Sequence, residues 1–136
     1  MKKIINPAII IVTYNRPLAL KRLLSSIALA NYSYYNNIPL IISIDGGGEN
    51  NSEIIHISEE FVWRYGIKKI ISHKKNIGLR NHILSCGDKT DKYENVIILE
   101  EDCYVSKNFY DFAVKSLQYY ENDQRITGIS LYTYSI

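Results

Sequence analysis

The sequence predicts an α/β fold, a Rossmann-like three-layer α/β/α sandwich with a mainly parallel sheet. Short apolar runs alternate with longer amphipathic segments along the chain, which is the order of strands and crossover helices in a parallel sheet. The first apolar run, 8–14, is rich in β-branched residues and unbroken by charge. Such a run is typical of a central strand that is covered on both faces.

Each element has a local signal. The first helix carries an apolar stripe at intervals of three and four residues, with Asn15 as its expected cap and Pro17 in its first turn. Gly66 is expected to end the second helix, because glycine tolerates a left-handed cap. The predicted strands cover 8–14, 39–44, 67–72, 96–99 and 126–132, and the predicted helices cover 17–30, 52–65, 79–86 and 107–120, with a charged loop at 87–94.

Length and composition narrow the class of protein. A chain of 136 residues fits a single domain, and its 46% hydrophobic content is far too high for a disordered protein. The 16 basic residues nearly balance the 14 acidic ones, for a formal net charge of +2. Because this balance creates no strong field, neither nucleic acid nor an acidic membrane surface is implied as a partner.

The cysteines and the apolar runs favour a cytoplasmic protein, including one at the periphery of a membrane. Cys86 and Cys103 fit neither a disulfide framework nor a zinc spacing, so we expect both to be reduced. The start of the chain imitates a signal peptide only until Asn6 and Pro7 interrupt it. The apolar run 8–12 is far shorter than the ~20 residues that span a bilayer, so no membrane span is predicted.

Three adjacent acids, Glu100, Glu101 and Asp102, follow the apolar run 96–99. Carboxylates this close repel one another, and a divalent cation or a set of hydrogen-bond donors would relieve the repulsion. Mg²⁺ and Mn²⁺ prefer oxygen ligands and commonly share their shell with substrate phosphates. On charge alone, a solvated loop is an equally acceptable interpretation of these three acids. Their position at the end of a buried strand favours a cation site.

Other polar groups follow the first two predicted strands. Asp45 precedes three glycines, which allow a ligand to approach the backbone closely, although turns use the same residues for conformational reasons alone. Arg16 lies at the first strand-to-helix junction, where it and the helix amides could face a phosphate, and Arg80 is a second candidate phosphate contact. For both, a solvated surface arginine is the alternative interpretation. Ligands bind beyond the carboxyl ends of parallel strands, so we expect these groups to share one edge. We expect the three histidines, His56, His73 and His82, to be structural or surface residues.

Three segments resemble a known family. Residues 10–17 are similar to the opening strand of GT-A-fold glycosyltransferases, the large inverting family included, and residues 42–47 resemble their second strand. Residues 96–112 resemble the acidic-motif strand and following helix of the Golgi N-acetylglucosaminyltransferase that initiates complex N-glycans. The resemblance covers nearly the whole chain and is most specific in the acidic segment. It implies the N-terminal half of the GT-A nucleotide-diphospho-sugar transferase fold.

The resemblance also implies roles. The donor would be a nucleotide-sugar, expected to be a UDP-sugar, with Mn²⁺ or Mg²⁺ as cofactor and a glycan or lipid-linked acceptor. The implied positions are Asp102 as the metal ligand, Glu100 and Glu101 on sugar or ribose hydroxyls or metal-bound water, Asp45 on the uracil, Thr13 beside the nucleoside, and Arg16 near the diphosphate.

The sequence departs from the family pattern in two ways. Glu101 occupies a position where an aspartate is usual, which puts the ribose or sugar contacts in doubt but spares the metal position. The chain ends soon after the predicted strand 126–132, whereas family members continue into an acceptor-binding half that supplies the catalytic base. Residues 1–136 are therefore interpreted as one nucleotide-sugar-binding domain, truncated, with no catalytic base of its own and little or no turnover alone.

Two alternatives remain. A nucleotidyltransferase or magnesium phosphohydrolase would also place acids at a strand end, but the further acids or lysines that such enzymes use are not found. A non-catalytic module that keeps the fold and binds a partner or a glycan is the other.

Overall fold

A computed structural model describes residues 5–132. Within this range the chain forms four strands and five helices. In chain order they are β1 Ala8–Thr13, α1 Pro17–Ala28, β2 Leu40–Ile44, α2 Asn51–Glu60, β3 Lys68–Ser72, α3 Leu79–Gly87, α4 Thr90–Tyr93, β4 Val96–Glu100 and α5 Phe109–Tyr120.

The strands form one sheet in the order β3-β2-β1-β4, and every pairing is parallel. All residues of β1 and β2 are buried, whereas β3 at the edge is only partly buried. The β-branched runs of β1 and β2 can be covered on both faces. The edge strand β3 begins with two lysines, and Lys68 donates its Nζ to the carbonyls of Ser58, Glu59 and Phe61 at the end of α2. The prediction of a mainly parallel sheet is confirmed.

Helices cover both faces of the sheet. On one face, Ile9 and Ile11 of β1 pack in a core cluster with residues of α1, α2 and α5. On the other face, Ala8, Ile10 and Val12 pack with Cys86 of α3. Alternate residues of β1 therefore pack into two separate cores, one on each face of the sheet. The three-layer sandwich is confirmed.

The segment between β4 and α5 is held along α1. The backbone N–H of Val105 donates to Ser26 Oγ at 3.1 Å, and the N–H of Asn31 donates to the carbonyl of Lys107 at 2.8 Å. Tyr110 of α5 is fully buried and donates its hydroxyl to the Pro7 carbonyl at 2.7 Å. These bonds fix where the acidic segment leaves the sheet.

Three local predictions were wrong. Residues 126–132 form no strand: Ile126 donates its N–H to the main-chain oxygen of Asp123 at 3.0 Å in a turn, and within residues 5–132 no strand pairs with the segment. Apolar β-forming residues need a partner as well as a propensity. Helix α2 ends at Glu60 rather than near 65, so Gly66 does not end it. Trp63 turns inward instead and donates Nε1–H to the Ile38 carbonyl at 2.8 Å.

The third wrong prediction concerns Asn15. It does not cap α1; the residue before the helix is Arg16, and no side chain caps that end. Asn15 has a φ of 55° and turns its side chain toward another loop. The remaining element boundaries differ from the predicted ones by a few residues, and the predicted loop 87–94 contains the short helix α4.

Candidate functional site

The groups that follow β1, β2 and β4 lie at one edge of the sheet. The N–H of Asp45 donates to the carbonyl of Thr13 at 3.0 Å, and the N–H of Glu101 donates to the carbonyl of Val12 at 3.1 Å. Strand order reverses between β1 and β4, because β2 and β3 extend from one side of β1 and β4 joins its other side. Such a reversal opens a crevice at the carboxyl ends of the strands, the usual ligand position in open α/β sheets.

An acid corner, formed by Arg16, Glu101 and Asp102, lies at this reversal. Arg16 Nη1 is 3.5 Å from Asp102 Oδ2, and Arg16 Nε is 3.8 Å from Glu101 Oε1. Arg22 of α1 adds a contact from Nη2 to the main-chain oxygen of Asp102 at 3.4 Å. Arg22 was not predicted, since an arginine on an exposed helix face carries no signal in the sequence.

The acids of this edge have different environments. The Glu101 side chain is 12% exposed, whereas that of Asp102 is 57% exposed. Burial raises the pKa of Glu101, against the opposing effect of its backbone hydrogen bond and of Arg16. Glu100 is exposed at the last position of β4. Within the acid corner, Asp102 is therefore the carboxylate more open to an incoming ligand.

Asp45 is buried and serves the backbone around it. Its Oδ1 accepts the N–H of Gly46 and the N–H of Ile77, both at 2.8 Å, and its Oδ2 accepts the N–H of Gly78 at 3.1 Å. The carboxylate therefore anchors the loop 73–78, which connects β3 to α3. The sequence predicted a ligand contact here and not this anchoring role.

The glycines after Asp45 let three segments meet. A Cβ on Gly46 would collide with the carbonyl oxygen of His73, and one on Gly48 would lie 3.0 Å from Asn15 Oδ1. Gly47 has a φ of +82°, which favours glycine. Asn15 Oδ1 also accepts the N–H of Asn50 at 2.9 Å. We call residues 45–48, residues 73–78 and Asn15 the cradle.

The remaining predicted residues flank these groups. Thr13 is fully buried between the cradle and the acid corner, and its Oγ1 is the one buried side-chain polar atom of residues 5–132 that lacks a hydrogen-bond partner. A buried hydroxyl without a partner carries a desolvation cost that a ligand could remove. Arg80 is exposed on the first turn of α3 and makes no ion pair within the described part of the chain.

A buried polar group lies beneath the cradle. His82 Nε2 is 2.7 Å from Ser43 Oγ, and both side chains are buried. Burial lowers the pKa of His82; Asp45 opposes this shift and His73 adds to it. Burial also raises the pKa of the nearby Cys86 thiol. This contact joins α3 to β2, as expected of a structural histidine.

The acid corner fits a hard divalent cation by the chemistry of its donors. Among residues 5–132, no set of three or more His, Cys, Asp or Glu side chains is arranged to hold a metal ion. Mg²⁺ and Mn²⁺ sites on nucleotide-binding proteins do not need one, since one or two carboxylates are completed by phosphates and water. Asp102 would hold the ion, with Glu101 beside it.

We call this edge of the sheet, with the acid corner and the cradle, the shelf. A cavity of about 740 Å³ lies between the loop after α1 and helix α5, where Tyr34, Phe112 and Tyr119 line it. A second cavity, of about 250 Å³, adjoins Asn95 and Tyr120. Neither cavity includes a residue of the acid corner or of the cradle.

The fold of this chain is a Rossmann-like α/β sandwich with a parallel sheet. Two solved structures of the S. aureus glycosyltransferase TarS share it. TarS 1–349 matches with a TM-score of 0.61 at 16% identity, over 84% of this chain and 32% of that one. A second TarS structure matches with a TM-score of 0.64 at 17% identity, over 91% of this chain and 23% of that one. This chain thus spans a third or less of the TarS structures.

No protein-family model matches the chain, and no curated protein matches it. Residues 5–132 contain no helix with both the length and the apolar character needed to cross a membrane.

Proposed function

We propose that this chain is the donor-binding part of a metal-dependent glycosyltransferase, with a nucleotide-diphospho-sugar, expected to be a UDP-sugar, as its ligand. The observation that carries the proposal is the acid corner. Two carboxylates and an arginine meet at the strand-order reversal of a glycosyltransferase-like sheet. From that position, these side chains can contact the metal ion, the phosphates and the sugar of the donor.

Different residues of the shelf contact different parts of the donor. The nucleoside lies against the cradle, where Thr13 Oγ1 gains a partner and Asp45 Oδ2, with one bond from Gly78, accepts from the base. Arg16 contacts the diphosphate with a charge-assisted hydrogen bond. Asp102 holds the cation and Glu101 a metal-bound water or a hydroxyl. A bound Mn²⁺ or Mg²⁺ stabilises the charge that develops on the leaving nucleoside diphosphate.

The outer residues take supporting roles in the proposal. Glu100, exposed at the end of β4, meets a sugar or ribose hydroxyl, and Arg80, exposed on α3, meets a phosphate oxygen. The acceptor is a glycan or a lipid-linked sugar. Because the chain spans a third or less of the TarS structures, we propose that the catalytic base is contributed by residues outside this chain and that the chain alone binds its donor with little turnover.

Calorimetric titration with UDP, with and without MnCl₂, tests the proposal. The wild-type chain should bind UDP more tightly in the presence of Mn²⁺, and Asp102→Asn should abolish that difference. Asp88→Asn is a matched control, because Asp88 is an exposed aspartate at the end of α3, away from the shelf. Binding of UDP that is indifferent to Mn²⁺, or equal effects of the two substitutions, would reject the proposed role of the acid corner.

A further inference from the structure

Arg16 occupies the place where a cation is expected. Its guanidinium lies 3.5 Å from Asp102 Oδ2 and 3.8 Å from Glu101 Oε1. Charge-assisted N–H···O bonds are shorter, about 2.7–2.9 Å. The side chain is 60% exposed. Arg16 therefore offsets part of the negative charge of Glu101 and Asp102, although its side chain is held only loosely.

The backbone of Arg16 is fixed although its side chain is not. Asn15, the preceding residue, is held by its hydrogen bond from Asn50, and Pro17, the following residue, begins α1. The α1 end is uncapped and has no acidic residue in its first turn. A guanidinium on this fixed base can reach the carboxylates on one side or an anion in front of the helix end on the other.

A divalent ion and the guanidinium compete for the same carboxylates. At separations of about 4 Å two like charges repel by about 1 kcal/mol per unit pair even in water, and by more near a protein surface. An ion on Asp102 would therefore displace Arg16. A nucleoside diphosphate that arrives with the ion offers the displaced arginine a new anionic partner.

We propose that Arg16 is an internal counter-cation of the acid corner: it pairs with Glu101 and Asp102 before the donor binds, and moves to the donor diphosphate when the metal ion takes those carboxylates. The inference rests on the proposed function and assigns the order of events at its site. It makes metal and nucleotide binding mutually dependent, since each removes an obstacle to the other.

The test uses Arg16→Gln and measures two affinities that should move in opposite directions. Free Mn²⁺ is followed by electron paramagnetic resonance as protein is titrated without nucleotide. Arg16→Gln should bind Mn²⁺ about two- to fivefold more tightly, the range that an exposed ion pair of this kind accounts for. UDP titrated at saturating Mn²⁺ should bind the variant about tenfold more weakly, because a charge-assisted contact to the diphosphate is lost.

Arg22→Gln is the matched control. It removes the same charge from the same neighbourhood, but Arg22 contacts the main-chain oxygen of Asp102 and not the carboxylate. We expect it to change the Mn²⁺ affinity less than Arg16→Gln does. Circular dichroism should show that both variants keep the fold, since both arginines contact the acid corner through exposed side-chain bonds.

The outcomes separate the two proposals. If Arg16→Gln leaves Mn²⁺ affinity unchanged or lowers it, or if Arg22→Gln matches it, the counter-cation role is wrong. If both affinities rise in Arg16→Gln, the move to the diphosphate is wrong. If Arg16→Gln binds Mn²⁺ more tightly than the wild type does, but the wild-type chain does not bind UDP, the proposed donor site fails while the pairing of Arg16 with the carboxylates is upheld.

Discussion

Removal of the Asp45 carboxylate should release the loop 73–78. In Asp45→Ala, the N–H groups of Ile77 and Gly78 lose acceptors that lie 2.8 and 3.1 Å away, and Gly46 loses a third bond at 2.8 Å. A hydrogen bond to a charged group contributes about 1.5–3 kcal/mol, and bonds that share one acceptor group are not additive. We therefore expect a loss of about 3 kcal/mol in the free energy of unfolding, a large share of the ~5–15 kcal/mol of a typical domain.

Urea denaturation measures this loss, and amide hydrogen exchange locates it. Exchange of the Ile77 and Gly78 amides should accelerate far more than that of β1. Asp45→Asn should fall between the wild type and Asp45→Ala, because its one carbonyl oxygen still accepts. A loss below about 0.5 kcal/mol, the level of a surface substitution, or unchanged exchange at those two amides, would refute the anchoring role of Asp45.

Two further predictions concern the surroundings of Asp45. Gly46→Ala should lower both the stability and the UDP affinity, because its Cβ would collide with the backbone of His73; Gly87→Ala, with open space around it, should be tolerated, and equal melting temperatures for the two would contradict this packing. Since burial lowers the pKa of His82 below its ordinary 6.5, the unfolded chain takes up a proton first as the pH falls. Stability should therefore be retained above pH 6.5 and decline below it, and His82→Gln should flatten this decline in thermal melts; an unchanged slope would argue against it.

The sheet could be predicted from the sequence because its signals are local. The β-branched runs of β1 and β2 are buried on both faces, and their alternation with amphipathic segments specifies parallel pairing. The shared edge of Thr13, Asp45 and Glu101 followed from that topology. What the sequence could not supply was the identity of long-range partners.

Asn15 and Asp45 illustrate this limit. A local rule makes Asn15 a helix cap, but its partner is the N–H of Asn50, 35 residues away. Asp45 before three glycines predicts a ligand contact, yet its carboxylate is used by amides 32 and 33 residues further along the chain. The first contact joins the β1–α1 loop to the β2–α2 loop, and the second joins the β2–α2 loop to the β3–α3 loop. No pattern within one segment encodes how these loops pack.

A crystal structure with UDP and Mn²⁺, with the ion located by its anomalous signal, tests the central claim most directly. The proposal predicts one Mn²⁺ bound to the Asp102 carboxylate, UDP lying across the cradle, and Arg16 turned from the carboxylates to the diphosphate. Mn²⁺ away from the acid corner, or UDP in the cavity lined by Tyr34 and Tyr119, would contradict it.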